Sequence, residues 1–369
     1  MKAVAVFPET REIRLIEHPE PRIESPTEVK VRVLEVGVCG TDKEICAFHY
    51  GVPPRGQGHL VIGHEALGEV VEAGVGVRTL KKGDLVVMTV RRPCGQAGCE
   101  SCKIGRQDFC FSGAFTERGI KERHGFMTEY VVDDERFMVA VPRHLRDVAI
   151  LVEPLTIAEK ALIQVWQVQQ RLPWSCPHAP DHKPGVCHHA VVLGAGPVGL
   201  LGAMAFRAAG FTTYVYSREG PTSEKARLVE SFGAVYVSSE ETPVERLVDR
   251  VGTIDVVYEA TGASRLSFEV LKQVGPNAAF VFTGVPGRRG SAEIDTDLLM
   301  RNMVLKNQVV FGTVNAGRDA FEAAVRDLGV FMERWPEATR KLLTGRYRVE
   351  DHREPLLSTA GIKAVIAFN

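Results

Sequence analysis

Hydrophobic and polar positions alternate in short runs through the first 140 residues: AVAVF (3–7), EVKVRVLEVGV (28–38), EALGEVVEA (65–73), DLVVMTV (84–90) and MTEYVVDD (127–134). Turns of the Lys-Lys-Gly-Asp type, glycines and prolines separate them. That pattern predicts a compact, irregular, mostly-β domain. Residues 144–171 change to helical spacing, with Leu151, Leu155, Ala158, Leu162 and Val165 on one face. From residue 190 apolar runs alternate with helical ones. AVVLGAG (190–196) reads as a buried strand, PVGLLGAMAFRAAG (197–210) as a small-residue helix closed by Gly210, and TTYVYS (212–217) as a second strand. The alternation continues through SEKARLVESFGA, VYVSS, IDVVYEATG, RLSFEVLKQVG, AAFVFTGV and NQVVFGTV. Strand–helix alternation of this kind predicts an α/β fold with a doubly wound parallel sheet. The last fifty residues read as amphipathic helices followed by IKAVIAFN, a return to the first domain.

Composition narrows the class. A chain of 369 residues is long for one core and fits two domains. Its 45% apolar and 25% charged residues are those of a soluble globular protein. A net charge of −1 argues against a nucleic-acid partner. No apolar run reaches the eighteen or so residues of a membrane span, and the N-terminus lacks the long apolar region of a signal peptide. The expected location is the cytoplasm. There the eight cysteines read as metal ligands or buried small residues and not as disulfides.

One motif sits where a strand gives way to a helix. Gly194, Gly196 and Gly199 form G-x-G-x-x-G, with Pro197 and Val198 opening the helix. The first glycine makes the turn, the second admits a pyrophosphate, and the third allows close helix–strand packing. At the end of the next strand stand Ser217, Arg218 and Glu219. An NAD site places an acid there to bind the ribose hydroxyls, whereas a small residue followed by arginine suits a 2′-phosphate. NADP is therefore the expected cofactor. Glu219 leaves NAD open as a second acceptor. Thr261 and Thr283, at the ends of later strands, are further cofactor candidates.

The remaining chemistry is metal chemistry. Cys39 in GVCGTD and His64–Glu65 in GHEALGEVVEAG offer sulfur, imidazole and carboxylate, the mixed donor set of a catalytic zinc. Cys94, Cys99, Cys102 and Cys110, separated by four, two and seven residues, suit one closed tetrahedral zinc with a structural role. Cys46 and His49 read as packing or rim residues. The cysteine- and histidine-rich stretch 176–189, broken by three prolines, reads as an exposed loop joining the domains.

These motifs, with KKGDLV (81–86) and ATG (260–262), resemble the zinc-dependent medium-chain alcohol dehydrogenase family along the whole chain. ERGI (117–120), Glu153-Pro154-Leu155 and GTVNAG (312–317) are similar to its archaeal-type glucose dehydrogenases. The resemblance implies a GroES-like catalytic domain (1–187 and 308–369, with a zinc lobe at about 91–111) interrupted by a Rossmann domain (188–307). It implies a catalytic zinc on Cys39 and His64, with Glu65 or Glu153 as the carboxylate ligand. It further implies Thr41, Glu117 and Glu153 against the sugar hydroxyls, and Asn315 beside both sugar and nicotinamide. The activity implied is oxidation of the C1 hydroxyl of glucose to a lactone, with hydride passing to NADP. Family members are commonly dimers or tetramers, so a homo-oligomer is expected. A polyol, threonine or alcohol dehydrogenase on the same scaffold is the nearest alternative, and a non-catalytic zinc-binding protein the remote one.

Overall fold

The computed structural model describes residues 1–173, 185–287 and 290–368. Its contacts divide the chain into one unit of residues 1–153, 315–329 and 339–369, and a second of residues 154–314 and 330–338. The sequence reading placed the chain up to residue 187 in the first domain, whereas these contacts group it with the second unit from Pro154 onward.

The first unit is built on a sheet in the order Met138–Val141, Leu85–Met88, Glu65–Ala73, Glu28–Gly37, Lys363–Ala367 and Leu343–Arg348. A further strand, Tyr130–Asp134, also pairs with Glu28–Gly37. The alternating runs bury one side-chain set: Val29, Val31, Val33 and Val36 of the central strand join Val4, Val70, Val86, Met88 and Ile366 in one core. Each such side chain contributes roughly 1.5–3 kcal/mol of burial. The register at the end of the central strand matters most for function. Gly37 lies opposite Glu65 on one neighbour and Val365 on the other, so residues from distant parts of the chain converge there.

The C-terminal region departs from the expected helices followed by a strand. Two helices, Arg318–Arg334 and Pro336–Lys341, do form, but Leu343–Arg348 is a strand parallel to Lys363–Ala367. Its alternating exposure places it at the sheet edge, where pairing with a partner fixed in tertiary structure outweighs a short segment's own preference.

The second unit carries six parallel strands, beginning with His189–Leu193 and ending with Val309–Gly312. Numbered in chain order, they lie 3-2-1-4-5-6 across the sheet, the doubly wound order with a switch point between the first and fourth. Thr212–Ser217 forms as expected, and the small-residue helix runs Pro197–Ala208. Its glycines let it lie close to the sheet: a β-carbon on Gly202 would sit 2.5 Å from the buried Tyr258 ring.

Among the described residues no helix is long and apolar enough to cross a membrane. Of the stretch 176–189, residues 176–184 lie outside the described residues. His188 faces Asp255 at 3.5 Å, and the His189 ring lies 3.0 Å from the Thr253 carbonyl. Cys187 is disulfide-bonded, which corrects the expectation of reduced thiols throughout. A disulfide needs only two cysteines held close by the chain, a local condition that composition does not report.

Candidate active site and metal centres

Cys39 caps the helix Gly40–Cys46, and its amide donates to Asp42 Oδ2 at 2.9 Å. The other oxygen of the fully buried Asp42 accepts from the Gly63 amide at 3.2 Å, tying the two motif segments together. Gly63 takes φ +88°, with Met127 and Val36 packed where a β-carbon would project. That geometry delivers His64 and Glu65 beside Cys39, and the ligand atoms of the three lie within 4.8 Å of one another.

His64 is buried. Its Nδ1 stands 3.4 Å from Asp42 Oδ1, outside hydrogen-bond geometry and with no other partner. Burial by itself would lower the imidazole's pKa. Asp42 and Cys39 outweigh it and hold the ring well above its ordinary value. An imidazole backed by a carboxylate and facing a thiol is the donor arrangement of a zinc-binding histidine. The residues fit the ion.

Glu65 has a partner that the sequence reading missed. Both of its oxygens meet Lys363 Nζ, at 2.7 and 2.6 Å, and that ammonium also donates to the Val38 carbonyl at 3.2 Å. Lys363 and Glu65 are each 1% exposed. The carboxylate occupies the space beside Gly37, where a β-carbon would lie 2.2 Å from Oε2. The only sequence signal was one lysine heading the apolar run KAVIA.

Glu153, in the first turn of the helix Val152–Gln169, is buried and stands outside the three-residue cluster. Burial, reinforced by Glu65, raises its carboxyl to about 7 against the opposing pull of His64 and Lys363. Thr41 lies beside the Cys39 sulfur, Oγ1 to Sγ 3.9 Å. His49 lines a pocket with Val6, Pro8, Arg11 and Phe48. Cys46 is buried, and desolvation pushes its thiol up to about 12.

Glu117 and Asn315, 198 positions apart, are joined: Asn315 Nδ2 donates to Glu117 Oε1 at 3.3 Å. The Asn315 backbone has φ +58°, a conformation asparagine tolerates better than most residues. Arg91, another residue the sequence reading missed, donates to the same oxygen at 3.0 Å and lies over the Phe115 ring. It occupies the position opposite Glu117 in the strand pair, where opposite charges attract.

The four cysteines gather as expected, all four sulfurs within 4.8 Å of one another. Cys99 and Cys110 sulfurs are 3.8 Å apart. Four thiolates at ~2.3 Å from one tetrahedral zinc stand about 3.8 Å apart, so this set also fits the ion. Cys110 is brought down to about 6 against the effect of burial, chiefly by the Ser112 hydroxyl at 3.3 Å. Desolvation pushes Cys102 up to about 12. Between Cys94 and Cys99 the chain runs beside open space, since a β-carbon on Gly95 or Gly98 would meet nothing.

In the second unit Gly194 has φ +102°, and a β-carbon on Gly199 would lie 2.1 Å from the Gly194 carbonyl oxygen, so both glycines are required. Gly196 caps the helix Pro197–Ala208 and faces open space. The buried Glu259 was also missed. Its carboxylate accepts from the Thr261, Gly262 and Gly284 amides and the Thr261 hydroxyl, while its carbonyl accepts from Thr283 Oγ1. One acid ending an apolar strand thus organises two loops at the switch point. Ser217 ends its strand, and Arg218 is exposed with no partner among the described residues.

Two family models between them cover most of the chain. Residues 25–143 match the alcohol dehydrogenase GroES-like domain, and residues 146–368 match the glucose dehydrogenase C-terminus. A glucose 1-dehydrogenase of Methanocella arvoryzae is 39% identical over 96% of each chain. One from Thermoproteus tenax is 38% identical over 97% of this chain and 96% of its own. The Haloferax mediterranei glucose dehydrogenase, solved in complex with NADP, Zn and gluconolactone, superposes with a TM-score of 0.89 at 33% identity, covering 100% of this chain and 99% of that one. The chain belongs to the zinc-dependent medium-chain alcohol dehydrogenase family, in its glucose dehydrogenase branch.

Proposed function

We propose that the protein is a glucose 1-dehydrogenase that oxidises the C1 hydroxyl of glucose to gluconolactone and passes hydride to NADP. The observation that carries this reading is the polar group of Glu117, Arg91 and Asn315, in a chain similar throughout to glucose dehydrogenases. A pocket for simple alcohols needs apolar walls. One for a sugar needs fixed hydrogen-bonding groups, and it rejects analogues that leave them unpaired.

Cys39 and His64 would hold the catalytic zinc, with Glu65 and Glu153 as the carboxylates at that site; Cys94, Cys99, Cys102 and Cys110 would hold the structural one. Bound zinc supplies Lewis acidity that makes the C1 hydroxyl more acidic. Asp42 lies behind the His64 ring, its carboxylate facing Nδ1. The buried Glu153 or Glu65 would take the hydroxyl proton on a carboxylate oxygen, and Thr41, beside the Cys39 sulfur, or His49 would hand it on. Glu117 and Asn315 orient the ring hydroxyls, and Thr41 and Glu153 join them. The cofactor would lie on Gly194, Gly196, Pro197, Val198 and Gly199, with Thr261 and Thr283 in the loops held by Glu259, Arg218 and Ser217 at the 2′-phosphate, and Asn315 at the nicotinamide. Hydride transfer requires C1 and the nicotinamide C4 about 3–3.5 Å apart.

We assign it to the cytoplasm, where the dinucleotide pool is available, and to a homo-oligomer. Exposed Met300, Val304 and Leu305 on the helix Thr296–Leu305 support self-association. Light scattering after size exclusion tests the assembly. Cofactor reduction by the purified protein against aldoses, polyols and alcohols, with NADP and NAD, tests the function. Good turnover of sorbitol with little on aldoses would overturn the sugar assignment.

A further inference from the structure

The loop after the second strand of the nucleotide sheet, Ser217-Arg218-Glu219, carries one cation and one anion whose effects on a 2′-phosphate oppose each other. A free carboxylate there would repel the phosphate and accept from a bare 2′-hydroxyl, favouring NAD. The structure holds Glu219 at two points, its backbone carbonyl and its carboxylate. The Glu219 carbonyl accepts from the Tyr236 hydroxyl at 2.8 Å, which fixes its backbone. Its Oε1 meets Lys225 Nζ at 2.5 Å. Lys225 stands in the first turn of the helix Glu224–Ser231, which Ser223 caps by accepting from the Ala226 amide at 3.1 Å. Tyr236 stands on the neighbouring strand Val235–Ser238, so Glu219 is held from that strand and from the helix that follows the loop. Beside it, Arg218 is exposed and unpartnered among the described residues.

We propose that Lys225 is a positioning residue for cofactor selectivity: by pairing with Glu219 it withdraws the loop's only carboxylate, leaving Arg218 as the uncompensated charge that selects a 2′-phosphorylated dinucleotide. This rests on the NADP reading above and supplies what that reading lacked, a reason why Glu219 does not oppose it. The pair is partly exposed, the lysine side chain 27% and the glutamate 43%, so its worth to folding is small. Its consequence is for recognition, because an unpaired charge beside a dianionic ligand acts on binding directly.

The test is equilibrium titration of NADPH and NADH by nicotinamide fluorescence, which needs no sugar turnover. Lys225→Met should weaken NADPH by about tenfold and leave NADH unchanged or slightly tighter. Lys225→Arg should keep wild-type selectivity. Adding Glu219→Gln to Lys225→Met should restore most of the lost affinity, and in the single Lys225→Met variant kcat at saturating NADP should stay unchanged while KM for NADP rises. The proposal is overturned if Lys225→Met leaves the NADPH to NADH ratio unaltered or weakens both nucleotides equally. It is also overturned if the double variant binds NADPH as poorly as the single one, which would make Lys225 a direct phosphate contact. Wild-type protein that binds NADH as tightly as NADPH would instead sink the NADP reading, while the shift in ratio on Lys225→Met still decides the role of Lys225.

Discussion

Lys363 and Glu65 form a charge pair with almost no exposed surface, in the strand layer that also positions Cys39 and His64. Two desolvated charges are tolerated only together, and removing one strands the other. Lys363→Met should lower unfolding stability by ~3–5 kcal/mol, read by urea denaturation, and Lys363→Met with Glu65→Gln should recover part of it. The Glu117–Asn315 pair makes a catalytic forecast. Glu117→Gln or Asn315→Ala should reduce kcat/KM for glucose roughly 10- to 100-fold, the worth of a hydrogen bond to a charged group. Unchanged values would remove the sugar assignment. His124 titrates against the fold. Its Nδ1 accepts from the Val61 amide and its Nε2 meets Gln57, so a second proton has no acceptor. Burial, with His18, His59 and Arg118 adding positive character, lowers it to about 4. The unfolded chain therefore binds more protons than the native one between about 6.5 and 4, and stability falls as pH is lowered through that window. Discounted for the ring's partial exposure, the loss is about 1 kcal/mol. Denaturation at pH 7.5 and 5.0 should show it in the wild type and less of it in His124→Gln.

Among the elements, the four-cysteine segment depends least on packing. Its helix Glu100–Lys103 is a single turn with no buried residues, while glycines 95, 105 and 113 take positive φ. Such a segment orders itself by binding an ion and not by burying a core. Cys102→Ser should therefore lose one zinc per chain by elemental analysis and make the segment the first site of proteolysis, with the second zinc retained. A different logic holds the buried Asp133, which meets Arg92 and Arg118 across three strand segments. Despite burial, those guanidiniums keep its carboxyl far below the usual range. The parallel sheet is more self-sufficient: its strands are apolar runs, paired in parallel register with neighbours close in the chain.

The whole molecule brings two unlike kinds of chemistry into one chain: a sulfur–imidazole–carboxylate cluster in the first unit and a glycine-built helix N-terminus in the second. Metal analysis should find two zincs per chain, and exhaustive chelation should abolish glucose oxidation while NADPH still binds, because its proposed contacts involve neither ion. Full activity after both ions are gone would remove the mechanism.

Periodicity and glycine spacing alone separated the mostly-β segment from the alternating one, and the Cys39, His64 and four-cysteine motifs were legible because their ligands lie close in sequence or in short distinctive strings. Lys363 on Glu65, Arg91 on Glu117 and Glu259 beneath the Thr261 and Gly284 loops were not legible in the same way. Two of those pairs depend on strand register between distant segments, and the third on an acid whose partners are backbone amides of two separate loops. A sequence pattern records which face a residue prefers. Which charge it meets there is decided only when strands far apart in the chain are laid side by side.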